Sequence, residues 1–220
     1  LKANGRKPRS AKLTAMIELS TLVFATGSIH KMTEVRALYD GFFAPCKSLK
    51  DIEFTDALPE TSDTILGNSQ QKAWYLYEKT GMNCFSEDTG LEVEALGGEP
   101  GVYTARYSGA NATDSSNINL LLDNLQKIEK KVDRNATFRT IITLIVKNKA
   151  YSFEGTCAGR IALKPQGENG FGYDPIFIPN GHEQSFAELG NDVKNKISHR
   201  ANAFEKLKNF LQQDTSDNNL

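Results

Sequence analysis

With 220 residues, 39% hydrophobic and 24% charged, the chain has the composition of a globular protein long enough to bury a substantial core. A net charge of −1 supplies no broad basic face for a nucleic acid, and no apolar run approaches the ~18 residues of a membrane span. The three cysteines, Cys46, Cys84 and Cys157, lie far apart with no Cys-x-x-Cys pair, which argues against a zinc knuckle or a disulfide framework and fits a reducing cytoplasm.

Residues 1 to 15 carry Lys2, Arg6, Lys7, Arg9 and Lys12 with no acid and no apolar periodicity. They read as part of a disordered basic tail reaching residue 18, with Met16 as a natural start. One domain then spans residues 19 to 213, ahead of a polar tail at 214 to 220. Leu19 to Ala25 reads as a buried strand running into Thr26-Gly27-Ser28-Ile29-His30-Lys31, after which Val35, Leu38 and Tyr39 recur at helical spacing. The hexad therefore lies between a strand and a helix amino terminus, where free N–H groups and the helix dipole suit phosphate; a simple capped turn has the same pattern. Lys47 to Phe54 reads as a second strand, and Leu58-Pro59-Glu60-Thr61 as a loop that exposes a carboxylate. A helix is expected from Thr64 to about Thr80, ended by Gly81.

Asn83 to Glu87 reads as a strand that ends in Ser86-Glu87-Asp88-Thr89-Gly90-Leu91. Two adjacent carboxylates and a hydroxyl would stand at its carboxyl end, with Gly90 allowing a sharp turn; a solvated acidic turn is the alternative. Ser115 to Ile128 places Ile118, Leu121, Leu122 and Leu125 on one helical face. Thr137 to Lys147 and Tyr151 to Ile161 suggest an antiparallel hairpin turning at Asn148-Lys149. Glu168 to Pro175 forms a glycine loop bearing Phe171 and Tyr173, and Lys194-Asn195-Lys196-Ile197-Ser198-His199-Arg200 leads into a last helix. Ser198 as N-cap puts His199 and Arg200 in the first turn, where cations oppose the helix dipole unless an anion compensates. A phosphate-type turn, carboxylates at Glu60, Glu87 and Asp88, an aromatic glycine loop and a Lys/His/Arg cluster together fit a metal-dependent site for a phosphorylated aromatic ligand.

Thr-Gly-x-x-x-Lys, Glu-Asp-Thr-Gly-Leu with Leu-Gly-Gly-x-Pro-Gly-Val-Tyr-x-Ala-Arg-Tyr, Gly-Phe-Gly-Tyr-Asp-Pro-Ile-Phe and Lys-x-x-Ile-Ser-His-Arg follow one another in order. Together they resemble the inosine triphosphate pyrophosphatase, or Ham1-like, family across about Leu19 to Leu211. The resemblance implies an α/β fold, with an elongated mixed β-sheet and flanking helices forming two lobes around a central cleft. It implies hydrolysis of dITP, ITP and XTP to monophosphate and pyrophosphate with Mg2+, by a cytoplasmic homodimer that binds neither nucleic acid nor membrane. By position, Thr26, Gly27, Ser28, Ile29, His30 and Lys31 would hold the triphosphate, with Lys72 sharing its charge. Glu60 and Asp88 would be metal ligands, Asp88 also the general base, and Thr89 would keep a hydroxyl contact. Phe171, Gly172, Tyr173 and Asp174 would enclose base and sugar, and Lys194, His199 and Arg200 would face base or phosphates. Three positions depart from the family pattern: Ser28 for asparagine, His30 for glycine, and Gly67 where a glutamate often precedes Asn68, which leaves Glu87 as a second acid near the metal. A related pyrophosphohydrolase acting on pyrimidine or modified nucleotides, and a nucleotide-binding protein that has lost catalysis, remain as alternatives.

Overall fold

The computed structural model describes residues 21–39, 46–128 and 133–217, with no side-chain detail for 213–217. The basic tail and the start of the first expected strand lie outside the described residues, as do 218–220. The elements are β1 (Leu22–Ala25), α1 (Ile29–Tyr39), β2 (Cys46–Ser48), α2 (Ile65–Thr80), β3 (Cys84–Val93), β4 (Pro100–Gly101), α3 (Asp114–Gln126), β5 (Asn135–Val146), β6 (Lys149–Ile161), β7 (Phe177–Pro179), α4 (Phe186–Ile197) and α5 (His199–Asp217). They form one mixed sheet in the order β2-β1-β3-β5-β6-β7, with β4 paired to β3. β2, β1 and β3 run parallel, and the remaining pairs are antiparallel.

Helices cover the parallel part of the sheet on both sides, so β1 is an unbroken apolar run. Its residues alternate between two cores: Leu22 and Phe24 pack with α1 and α5, while Val23 and Ala25 pack with α2. A third core gathers the far ends of β3, β5 and β6 with β7, α3 and Phe186 of α4. The long strands β3, β5 and β6 thus run through both lobes and fix them on one frame. α2 begins and ends where Thr64 and Gly81 predict, with Thr64 Oγ1 accepting from Gly67 N–H at 3.0 Å.

Three local expectations are corrected. The strand read over 47–54 stops at Ser48, because Ser48 N–H donates to Asp51 Oδ2 (2.8 Å) and Asp51 N–H donates to Ser48 Oγ (3.2 Å), closing the chain into a short 3-10 turn. The hairpin turns at Lys147-Asn148, both with positive φ (50° and 61°), one residue earlier than expected. β3 does not end at the acids but continues to Val93, and Gly90 lies inside the strand. A Cβ there would sit 2.8 Å from Gly101 O and 2.6 Å from Ile65 Cδ1, so this glycine serves the close approach of β4 and α2 rather than a turn.

Candidate active site

Successive side chains of a strand point to opposite faces, and this divides the two acids of β3. Asp88 faces α2, where Lys72 Nζ lies 2.9 Å from its Oδ1 and 2.5 Å from Glu60 Oε1. Burial alone would lower the Lys72 pKa, but the two carboxylates outweigh it and hold the ammonium protonated. Burial also pushes Glu60 upward, yet Lys72 and Lys31 bring it below the ordinary carboxylate value. At Asp88 the balance is reversed: burial raises its pKa against the pull of Lys72 and Lys31. The loop carboxylate and the strand carboxylate are therefore joined through one cation. Their donor set of carboxylate oxygens suits Mg2+, which needs only one or two protein carboxylates. Among the described residues no group of three or more His, Cys, Asp or Glu comes together for a metal.

Glu87 faces the other way. Its carboxylate is fully buried and takes two hydrogen bonds from Arg200 of α5, from Nε at 2.8 Å and Nη2 at 2.6 Å, with Lys31 Nζ at 3.3 Å. Burial would raise its pKa, but Arg200 and Lys31 hold it well below the ordinary value of 4.5. Arg200 Nη1 also donates to Glu34 of α1, and Glu34 accepts in turn from Lys194 Nζ at 2.7 Å; Lys194 reaches Asp174 at 2.5 Å. Three carboxylates (Glu34, Glu87, Asp174) thus meet three cations (Lys31, Lys194, Arg200) in a chain that ties α1, β3, the glycine loop, α4 and α5 together. Glu87 and Asp88 thus lie on opposite faces of β3, and the acid expected as a second carboxylate near the metal is engaged with Arg200 and Lys31. The anion required by the cationic first turn of α5 is supplied by Glu87 and Glu34, while Ser198 Oγ caps that turn, accepting from Ala201 N–H at 3.2 Å.

Between these groups lies a cavity of about 590 Å³, a size suited to a small-molecule ligand. Thr26, Gly27, Ser28, His30 and Lys31 line one side, Glu60, Lys72 and Thr89 another, and Phe171, Gly172, Tyr173, Asp174, Lys194, His199 and Arg200 a third. Ser28 Oγ accepts from Lys31 N–H at 3.3 Å and so caps α1. Tyr173 is buried and donates its hydroxyl to Thr104 O at 3.1 Å, so it supports the wall. His199 stacks on Phe138 at 4.5 Å, and burial with Arg200 and Lys194 nearby keeps the imidazole neutral. Its buried Nδ1 has no hydrogen-bond partner among the described residues. Two of the expected residues are not lining side chains. Ile29 is 80% exposed, and Asp88 stands immediately behind Lys72.

Sequence reading missed Glu34, Asp114, Asn117 and Phe138, of which the last three line the cavity. Glu34 carried a signal: it falls three positions after Lys31, on the same helix face. Asp114 and Phe138 approach only through the fold. The outer position at Gly67 is explained locally, since a Cβ there would lie 2.0 Å from Ser62 Oγ; the serine hydroxyl fills the space of a side chain at 67.

Fold and cavity define an α/β protein with a cleft for a phosphorylated aromatic ligand. The chain belongs to the Ham1 family, whose model matches residues 22–210. It is 44% identical over 193 residues to a dITP/XTP pyrophosphatase of Porphyromonas gingivalis, covering 88% of this chain and 98% of that one. It is 45% identical over 192 residues to a dITP/XTP pyrophosphatase of Christiangramia forsetii, covering 87% and 99%. The solved structure of a HAM1 protein from Coxiella burnetii superposes with a TM-score of 0.80 at 34% identity, covering 88% of this chain and 98% of that one.

Proposed function

We propose that this chain hydrolyses dITP, ITP and XTP to the nucleoside monophosphate and pyrophosphate, clearing these nucleotides from the pool. The observation that carries the reading is the convergence, in one cavity, of a helix amino terminus with Lys31, of Glu60 and Lys72 backed by Asp88, and of an aromatic and guanidinium end formed by Phe171, His199 and Arg200. A triphosphate laid along it would place its phosphates on the Thr26–Lys31 turn, where backbone N–H groups and Lys31 meet the charge. Asp88, with its raised pKa, accepts a proton from the water that attacks the α-phosphorus. Lys31 and Lys72 stabilise the negative charge that develops on the departing pyrophosphate. Glu60 and Asp88 would hold a Mg2+ ion, which supplies neutralisation of the triphosphate when bound.

Base choice follows from donors and acceptors. Inosine and xanthine present a 6-keto oxygen where adenine presents a donor amino group. Arg200 spends three N–H groups on Glu87 and Glu34, and those that remain can face that oxygen. Adenine would leave these buried donors unpaired, a mismatch worth about 10⁴-fold. Pyrophosphate release from dITP, XTP, dATP and dGTP with Mg2+ tests the reading: dITP and XTP are expected to be turned over and dATP not. Equal rates on all four, or none on any, would sink it. A homodimer and a cytoplasmic setting belong to the same reading, and sedimentation of the purified chain tests the first.

A further inference from the structure

The tip of the aromatic glycine loop is held partly from outside the loop. Phe171 N–H donates to Asp174 Oδ2 at 2.9 Å, and the next N–H, that of Gly172, donates to Asp114 Oδ2 at 2.7 Å across 58 positions of chain. Gly170 and Gly172 take positive φ (80° and 61°), and a Cβ at 170 would lie 2.1 Å from Asp174 Oδ2, so the tip meets its carboxylates only as glycine. What this geometry positions is the Phe171 ring, with the His30 imidazole stacked on it at 5.3 Å and Lys194 Nζ 4.7 Å from its centroid.

Asp114 is the first residue of α3, yet the helix start is satisfied without its side chain. Thr113 Oγ1 accepts from Ser116 N–H at 3.1 Å, and Ser116 Oγ accepts from Thr113 N–H at 2.8 Å, a complete capping box. The carboxylate is therefore left to the loop. Both Asp114 and Gly172 border the cavity, so the bond spans its rim from α3 to the ring-bearing tip.

We infer that Asp114 is a positioning residue that sets Phe171 for the base of the substrate by holding the Gly172 N–H; this rests on the pyrophosphatase reading above. The bond needs an acceptor at position 114, not a charge. Its loss loosens the base end of the site and leaves the phosphate end intact.

The test is steady-state kinetics on ITP with wild type, Asp114→Ala and Asp114→Asn, together with inhibition by inorganic tripolyphosphate, which has no base. Asp114→Ala is expected to raise KM for ITP about tenfold, the upper end of what one ordinary hydrogen bond contributes, with kcat within about twofold and tripolyphosphate inhibition unchanged. Asp114→Asn, whose amide oxygen still accepts, is expected to recover most of the loss. A fall in kcat at constant KM, an asparagine variant no better than alanine, or weaker tripolyphosphate inhibition in step with KM would each overturn the inference. A wild type that does not turn over ITP would overturn the pyrophosphatase reading alone. The ratio of ITP dissociation constants among the three proteins, by calorimetry, then decides on Asp114 with the same expected ordering.

Discussion

Glu87→Gln and Asp88→Asn change neighbouring residues by the same chemistry, yet the fold predicts opposite consequences. Glu87 is fully buried and accepts both N–H bonds of the Arg200 fork, with Lys31 alongside. The amide keeps the shape but removes the charge and turns one acceptor into a donor facing a guanidinium. Breaking a buried ion pair from one side costs about 3–5 kcal/mol. Because Glu34 still holds Arg200 Nη1, we expect the lower end, ~3 kcal/mol. At about 2–4 °C per kcal/mol for a domain of this size, Tm should fall by roughly 6–12 °C. Asp88 holds a single partner among the described residues, Lys72, which keeps Glu60 as a second carboxylate, and burial already disfavours its charge, so Asp88→Asn should lower Tm clearly less than Glu87→Gln does while lowering turnover at least ~100-fold, the lower range of general base catalysis. Calorimetry and pyrophosphate release on both variants check the crossed pattern. A Glu87→Gln protein that melts with wild type, or an Asp88→Asn protein that loses as much stability, would refute the division of roles by strand alternation.

Three further outcomes are expected. The depressed pKa of Glu87 contributes stability that is fully present above its unfolded value of about 4.5 and is lost as pH falls below it, so Glu87→Gln should flatten the acid side of a Tm-against-pH curve. Gly67→Ala should destabilise by about 1–3 kcal/mol through overlap with Ser62 Oγ, and adding Ser62→Gly should restore most of it; chemical denaturation of the double-mutant cycle measures the coupling. Millimolar Mg2+ should raise the Tm of the wild type, and Glu60→Gln should abolish that rise, a calorimetric readout that needs no turnover.

Local signals carried much of the fold. Thr64 and Gly81 bracket α2 as a capping hydroxyl and a terminating glycine do elsewhere, and the β-branched run after Thr137 with the alternation after Tyr151 marks the long hairpin. The candidate site was legible as residue types in order, and fifteen of the expected residues line one cavity while Asp88 backs it through Lys72. What local signals did not carry was direction. The extent of β3, and hence the opposite facing of Glu87 and Asp88, depends on β5 pairing along its whole length from Cys84 to Val93. Gly90 reads as a turn until β4 is laid against it, and the anion for Arg200 is felt in the helix's first turn but identified only when Glu87 arrives from 113 positions away. Asp114 gave no signal because its partner is a backbone N–H in another loop.

Attack of water on the α-phosphorus of a 6-keto purine triphosphate is tested most directly by running the reaction on ITP in ¹⁸O-water and weighing the products. Label in inosine monophosphate with unlabelled pyrophosphate is the predicted result. Label in pyrophosphate, or release of orthophosphate in its place, would contradict it.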